Sequence, residues 1–142
     1  MTANLDVGRI EALLDARFPQ IHAGGRLLVI EEVGPSHARV RMKMHDRHIR
    51  PGGTVSGPSM FTLADFSVYV AIIGALGEAG IEAVTTNLNI NFLAKPEPRD
   101  LVSVVRLMRL GRRLAVGEAQ IYSEGVPDMV AHAIATYALP AV

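Results

Sequence analysis

One acidic residue, Asp65, lies in a segment where almost every other side chain is apolar. Between Met60 and Leu76 only Thr62, Asp65 and Ser67 are polar. A carboxylate in such a segment loses hydration on folding, which is costly unless the group is paired or has a chemical role. No basic residue stands three or four positions away to neutralise it. Asp65 is therefore a candidate base or nucleophile in a cleft. The alternative is a structural aspartate that accepts hydrogen bonds from Thr62, Tyr69 or a sheet residue.

The composition removes several other chemistries. The 142 residues contain no cysteine, which excludes thiol nucleophiles, disulfides and thiolate zinc sites. Five histidines occur without the spacing of a metal-binding motif, so we predict no metal. Fourteen basic and fourteen acidic residues give a formal net charge of zero, without the positive field that holds a nucleic-acid backbone. We therefore expect no nucleic-acid partner.

The helix that carries Asp65 is predicted from residue 58 to residue 76. Pro58 suits the first turn of a helix, and Gly77 and Gly80 are typical of a helix end. Because apolar residues cover nearly every face of this helix, it must be buried on most sides.

The remaining chain predicts one short helix and six strands. The helix lies near residues 5–18, with Asn4 as its cap and Pro19 as its stop. Alternating, β-rich segments predict strands at 26–33, 36–44, 82–94, 101–110, 113–123 and 129–139. Residues 45–57 have no periodicity and predict a loop long enough to have a function.

The order of these elements predicts a single α+β domain, residues 1–142, with a hotdog fold. Short connections at 95–100, 110–113 and 124–128 predict antiparallel hairpins between the last four strands. An antiparallel sheet with one apolar helix between its strands must curl around that helix to bury it. The resemblance to hotdog proteins implies subunits that pair side by side with ligand sites between them, so a homodimer is the minimum expectation.

Two segments of the chain carry a resemblance to a known family: residues 56–71, SGPSMFTLADFSVYVA, and residues 85–100, TTNLNINFLAKPEPRD. They resemble the phenylacetate-degradation-type hotdog thioesterases, in which His-Gly-Gly leads into a helix carrying Leu-Ala-Asp. The resemblance implies that Asp65 attacks the thioester carbonyl or activates water. It also implies that the Gly57 N–H points at the thioester oxygen, and helix N-termini favour such developing negative charge. The alternative is that Gly57 only lets the loop turn into the helix.

The sequence departs from this family at three positions. Ser56 stands where the family usually has histidine, Pro58 where it has the second glycine, and Arg50 where an asparagine is common. Because these positions orient substrate or water in the family, Arg50 and Ser56 are predicted to contact substrate. The alternative for Ser56 is that it caps the helix.

Further contacts with substrate are predicted on the next strand and around the cleft. In the family, the strand that begins at residues 85–87 runs past the active site of the partner subunit, and Thr86 and Asn87 are the predicted contacts. Side chains that would line an acyl pocket, or alternatively belong only to the core, are Met60, Phe61, Phe66 and Tyr69. Cations that would form a rim for the phosphates of coenzyme A are Arg47, His48, Arg50, Arg112 and Arg113.

The leading expectation is hydrolysis of an acyl-CoA or related thioester, with no cofactor beyond the coenzyme A of the substrate. The alternative is an acyl-CoA-binding protein without catalysis. Hydration is disfavoured, because Val70 stands where hydratase patterns have a histidine.

The longest apolar stretch, Val68 to Leu76, is shorter than the roughly 20 residues that span a bilayer. Charged residues interrupt any signal-like segment near the N-terminus. We expect a cytoplasmic homodimer or homotetramer with no membrane partner.

Overall fold

A computed structural model describes residues 5–141, which form two α-helices and one six-stranded sheet. The helices are α1 (Val7–Arg17) and α2 (Gly57–Leu76). The strands are β1 (Leu28–Val33), β2 (His37–Met42), β3 (Val84–Phe92), β4 (Leu101–Leu110), β5 (Leu114–Ser123) and β6 (Met129–Ala138). Short 3₁₀ turns lie at Pro19–His22, Asp46–His48 and Gly77–Glu82. The predicted helices and strands are all present, with bounds shifted by a few residues.

The strands form one antiparallel sheet in the order β1-β2-β4-β5-β6-β3. The connections at 110–113 and 124–128 are hairpins, as predicted. The predicted hairpin at 95–100 is wrong, because β3 pairs with β6 at one edge while β4 lies between β2 and β5. The chain must cross three strand spacings there, about 14 Å. Residues 93–100, if extended, reach roughly 26 Å, which is enough for the crossing.

α2 packs against all six strands, so the sheet curls around it as predicted. Every residue from Phe66 to Gly74 is buried, which accounts for the apolar character of the helix on all faces. Small buried residues of β5 and β6 let the helix lie close to the sheet: Ala115, Gly117, Ala119, Ala131, Ala133 and Ala135. A Cβ atom at Gly117 would lie only 2.8 Å from a methyl group of Val68.

By length and composition alone, the helical segment Gly57–Glu82 is long and apolar enough to cross a membrane. In the structure, 72% of its most apolar window is buried inside the fold. The core helix of a folded domain passes the same test. The expectation of no membrane-spanning segment counted only the uninterrupted apolar run from Val68 to Leu76. The helix itself is longer, because it continues through its few polar residues.

α1 packs against α2, β1 and the 3₁₀ turn that follows α2. Its N-cap is Asp6, whose carboxylate accepts a hydrogen bond from the backbone N–H three residues later at 2.9 Å. The predicted cap, Asn4, lies outside the described residues. Just after α1, the ring of Phe18 packs edge-on against Tyr69 of α2, with centroids 6.2 Å apart. Phe18 therefore packs against α2 about one helical turn beyond Asp65.

Candidate active site

Two hydroxyl groups from the sheet hold the carboxylate of Asp65. Thr85 Oγ1 donates to Asp65 Oδ1 at 2.8 Å, and Tyr137 OH donates to the same oxygen at 2.6 Å. The Tyr137 hydroxyl also lies 2.9 Å from the backbone carbonyl oxygen of Asp65. The Asp65 carboxylate therefore accepts its hydrogen bonds from sheet residues, and from neither Thr62 nor Tyr69. These contacts fix the orientation of the side chain.

The two oxygens of this carboxylate have different surroundings. Oδ1 accepts both hydrogen bonds, while Oδ2 accepts none from residues 5–141 and is not buried. No lysine or arginine in the described part of the chain forms an ion pair with Asp65. A carboxylate with one fixed oxygen and one accessible oxygen can serve as a nucleophile or a base through Oδ2.

Tyr137 is a site residue that the sequence analysis missed. Burial raises its pKa, and the charge of Asp65 and the hydrogen bond to it act in the same direction. The phenol therefore remains a protonated donor at neutral pH. A signal was available, because Ala131, Ala133 and Ala135 alternate along the buried face of β6 and Tyr137 is the first polar residue in that row.

A β-bulge at the start of β3 decides which residue faces the carboxylate. Thr85 pairs with Tyr137, the register then shifts, and Asn87 pairs with Thr136. Thr86 is the extra residue, and its hydroxyl donates to the carbonyl of Thr136 at 3.2 Å. Thr86 and Asn87 are exposed and do not line the cavity next to Asp65. At this cavity the lining residue of the three is Thr85, and contact of Thr86 and Asn87 with substrate stays a prediction.

An open cavity of about 620 Å³ lies beside Asp65, between the end of α1, α2 and the start of β3. Its aromatic lining residues are Phe18, Phe61, Phe66, Tyr69 and Tyr137. The predicted lining by Phe61, Phe66 and Tyr69 is therefore present, whereas Met60 is buried and does not line the cavity. The rings of Tyr69 and Tyr137 stack with centroids 6.0 Å apart. Such a wall suits an apolar acyl group.

Most polar groups at the wall and rim of the cavity already have a hydrogen-bond or ion-pair partner in the chain. The Tyr69 hydroxyl donates to the carbonyl of Ile81 at 2.6 Å, and burial raises the pKa of this phenol. Arg17 and Glu82 form an exposed ion pair of 3.5 Å that links α1 to the 3₁₀ turn after α2. Asp65 therefore shares this cavity with mainly aromatic and aliphatic side chains and with one ion pair.

At the start of α2, Ser56 caps the helix, which is the alternative that the sequence predicted for this residue. Ser56 Oγ accepts a hydrogen bond from the Ser59 N–H at 3.3 Å and lies 2.9 Å from the Ser59 hydroxyl. Pro58 lies in the first turn, where its missing N–H leaves no helical bond unmade. The Ser56 hydroxyl is thus used by the helix itself, and its contact with substrate stays a prediction.

Gly57 lies about 12 Å along the helix axis from Asp65, because eight residues rise roughly 1.5 Å each. Its N–H donates to no acceptor among residues 5–141. The ring of Phe92, at the end of β3, lies against it, and a Cβ atom at Gly57 would be 3.2 Å from the ring. Glycine therefore permits this close approach.

The loop before α2 is closed by main-chain contacts. An isolated bridge joins Ile49 and Val55, and the tip contains Gly52 and Gly53 with φ of 110° and 86°. These left-handed conformations favour glycine. Arg50 is exposed on this loop and does not line the cavity beside Asp65, so its contact with substrate stays a prediction.

His48 supports the same loop from inside the fold. It is buried, its carbonyl accepts the Ser56 N–H at 2.8 Å, and its Nδ1 has no hydrogen-bond partner in the described chain. Burial lowers its pKa, and the neighbouring Arg47 and His45 act in the same direction. A buried neutral imidazole is poorly placed to hold a phosphate.

Three further cations predicted to form the phosphate rim lie outside the fold interior that holds His48. The Arg47 guanidinium donates to the carbonyl of Gly24 at 2.8 Å, while Arg112 and Arg113 are exposed at the β4–β5 hairpin. Within residues 5–141, no three His, Asp or Glu side chains come together as a potential metal site, and the absence of a metal stays a prediction.

Comparison with known proteins agrees with the fold. A family model described as the thioesterase superfamily matches residues 52–129. A solved structure of a proposed thioesterase from Silicibacter sp. TM1040 is 43% identical, with a TM-score of 0.85, and the alignment covers 99% of this chain and 94% of that one.

More distant structures share the fold. A conserved protein from Pseudomonas aeruginosa is 24% identical, with a TM-score of 0.76 over 91% of this chain and 98% of that one. Zebrafish thioesterase superfamily member 2 is 20% identical, with a TM-score of 0.77 over 94% and 95%. No curated protein matches this chain. The family match and the 43% identical structure show that this chain, with its hotdog fold, belongs to the thioesterase superfamily.

Proposed function

We propose that this protein hydrolyses an acyl-CoA thioester to a free acid and a thiol, like the phenylacetate-degradation-type thioesterases that its motifs resemble. Membership of the thioesterase superfamily supports thioester hydrolysis in general. The observation that carries the narrower proposal is the carboxylate of Asp65, with Oδ1 fixed by two hydroxyls and Oδ2 accessible beside an aromatic-lined cavity. An acyl group in this cavity would bring its carbonyl to Oδ2.

The second catalytic group is proposed to come from another copy of the chain. Within one protomer Gly57 and Asp65 are about 12 Å apart along α2, too far to act on one carbonyl. β3 is an edge strand, and a free edge can pair with a second copy. Exposed apolar side chains at its ends support such pairing: Val84, Phe92 and Leu93.

The contacts at the two ends of β3 support an antiparallel pairing in particular. Thr85, near the start of the strand, contacts Asp65, and Phe92, at its end, contacts Gly57. Antiparallel pairing of β3 with its copy would lay Thr85 opposite Phe92 of the partner subunit. Gly57 of the partner subunit would then approach Asp65. We therefore propose a homodimer, or a homotetramer built from such dimers, with each site shared by two subunits.

In the proposed reaction the carbonyl carbon gains a C–O bond and loses its C–S bond. Either Asp65 Oδ2 attacks the carbonyl, the thiolate leaves and water hydrolyses the resulting anhydride, or Oδ2 accepts a proton from the water that attacks. The proton finally passes to the thiolate. In both routes the N–H of Gly57 of the partner subunit would stabilise the charge on the carbonyl oxygen. Thr85 and Tyr137 keep the carboxylate in position, and the reaction needs no cofactor.

Thiol release from a panel of aromatic and aliphatic acyl-CoAs tests the proposal. Asp65→Asn keeps an oxygen that can accept from Thr85 and Tyr137, so the fold and acyl-CoA binding should persist. Turnover should fall by about 100- to 10,000-fold, the range for loss of a catalytic base. Asp128→Asn, the same chemical change at an exposed loop position, should leave the rate unchanged.

Two results would overturn the proposal. Parental turnover in Asp65→Asn would make this carboxylate structural. Clear acyl-CoA binding without hydrolysis of any panel member would favour the alternative, a binding protein without catalysis, for which the cap role of Ser56 in place of a family histidine is the supporting observation.

A further inference from the structure

One wall of the cavity beside Asp65 comes from outside the region that the family model matches. That model covers residues 52–129, which include α2 and all of β3. Arg17, Phe18 and Ile21 line the cavity from the end of α1 and the turn that follows it. The part of the chain that matches the superfamily therefore supplies the carboxylate, whereas the N-terminal segment supplies this wall. A wall built by a separate segment can determine which acyl group fits without changing the reactive group.

Phe18 stands last in a row of three aromatic rings that begins beside the carboxylate. Tyr137 donates to Asp65 Oδ1 at 2.6 Å, and its ring stacks on that of Tyr69 with centroids 6.0 Å apart. The ring of Phe18 then meets Tyr69 edge-on, with the ring planes at 83°. The Tyr69 ring is held in place, because its hydroxyl donates to the Ile81 carbonyl at 2.6 Å. Phe18 is therefore the one ring of the row whose size can change without loss of a hydrogen bond.

Local backbone contacts fix the position of Phe18. α1 ends at this residue, whose N–H donates to the Leu14 carbonyl at 2.7 Å, and Pro19 disfavours a further helical residue before it. The Ile21 N–H donates back to the Phe18 carbonyl at 3.2 Å, so both side chains form one apolar surface of the cavity. α1 is anchored to the fold by Ile10 and Leu14, which are fully buried, whereas Phe18 is only partly buried. The docking of α1 therefore does not depend on the Phe18 ring.

An acyl group whose carbonyl lies at Asp65 would meet Phe18 after a short distance. Tyr69, which Phe18 contacts, lies four residues further along α2, about 6 Å along the helix axis. An extended chain advances roughly 3.5 Å for every three bonds, so about five bonds fit within that distance. We propose that Phe18 is the specificity-determining residue of this cavity and limits the acyl chain to about six carbons. The inference rests on the proposed function, because it takes the cavity to be the acyl site.

The test compares Phe18→Ala and Phe18→Trp with a matched variant, Leu13→Ala. Leu13 lies on α1 and is partly buried against the core, but it does not line the cavity. Its truncation therefore weakens the docking of α1 without changing the wall. The measured quantity is kcat/KM for saturated acyl-CoAs from acetyl to dodecanoyl.

In the parent, kcat/KM should rise up to about six carbons and then fall about tenfold or more, because a methylene that does not fit an apolar pocket is strongly rejected. Phe18→Ala opens a space at the end of the cavity and should move this limit up by about two carbons or more. Phe18→Trp should move the limit to shorter chains, and Leu13→Ala should leave it where it is. Because the limit is a ratio between substrates, a partial loss of folded protein does not change it.

Binding separates this inference from the proposed function. Calorimetry with the same acyl-CoAs, in an Asp65→Asn background that is expected to bind without turnover, should show affinity falling beyond the same chain length and shifting in the same direction in both Phe18 variants. If the parent hydrolyses no acyl-CoA but the affinities shift in this way, the limit at Phe18 stands and the proposed hydrolysis fails. If acyl-CoAs are hydrolysed and the limit is unchanged in Phe18→Ala, or moves equally in Leu13→Ala, the role of Phe18 is overturned and the proposed hydrolysis stands.

Discussion

The middle and the start of α2 carry the two groups proposed to act on the thioester, and their surroundings differ. Around Asp65, two strands of the same chain supply the hydroxyls that orient the carboxylate. Around Gly57, the N–H has no acceptor in residues 5–141, and the neighbouring Phe92 is half exposed. One protomer therefore orients the Asp65 carboxylate by itself, whereas the Gly57 N–H has no acceptor in the described part of that protomer.

This difference has a physical reason. A carboxylate that loses hydration inside a fold needs donors in the folded chain, or its burial would oppose folding. A helix N-terminus at the surface keeps its N–H hydrated until substrate arrives and therefore needs no internal partner. The following predictions test this contrast in order of decreasing effect.

Breaking the β3 edge should have the largest effect. Phe92→Asp puts a charge at the exposed end of this strand, so the proposed dimer should dissociate to a 15.3 kDa monomer in light scattering. Hydrolysis should fall about a hundredfold or more, because Asp65 would lose the opposing N–H. Met108→Asp, equally exposed at 51% but on β4, is the control. A folded monomer with parental turnover would contradict the two-subunit site.

Placing the family's histidine at the start of α2 should have the second largest effect. Ser56→His supplies an orienting group, and turnover should rise by up to about a hundredfold. The substitution also removes the helix cap and should lower the free energy of unfolding by about 1 kcal/mol. Ser56→Asn keeps a capping side chain without the imidazole and should change neither quantity much. A histidine variant that binds acyl-CoA but turns over no faster would count against the proposed orienting role.

Removing one donor from the carboxylate should have a smaller effect. In Tyr137→Phe, Thr85 still holds Oδ1, so kcat should fall roughly tenfold, consistent with loss of one charge-assisted hydrogen bond, with little change in KM. Tyr69→Phe removes a hydroxyl from the same cavity that bonds only to the Ile81 carbonyl, and it should leave kcat unchanged. Equal losses in the two variants would make Tyr137 a packing residue rather than a positioning one.

Acid should affect the start of α2 through His48, and this is the smallest expected effect. Because burial holds the pKa of His48 below its ordinary value of 6.5, its contribution to stability is present above pH 6.5 and is lost as pH falls towards the folded value. The protection factors of the Val55 and Ser56 amides, which correct for the slower intrinsic exchange in acid, should fall over this range, while those of amides in the middle of α2 stay high. His48→Gln should remove this pH dependence, and an identical fall in that variant would show another group to be responsible.

The sequence allowed good prediction of the elements and part of the site. The helix at 58–76 was recognisable because only full burial explains apolar residues on every face, and Asp65 was conspicuous as the carboxylate within it. Ser56 and Pro58 were recognisable as helix-start residues, because capping depends on local geometry. Of the three residues at the start of β3, the sequence does not single out Thr85, since a bulge in β3 changes which residue faces inward and no local pattern marks that bulge.

By itself, the sequence determined which segments are helix or strand and that a lone carboxylate lies in the central helix. Only the tertiary structure decided that β3 pairs with β6 instead of β4, and that Thr85 and Tyr137 hold Asp65. The physical reason is that the alternation of apolar and polar residues along a strand indicates only that its two faces lie in different environments. Strand partners and registers depend instead on contacts between segments distant in sequence, such as the pairing of Thr85 with Tyr137.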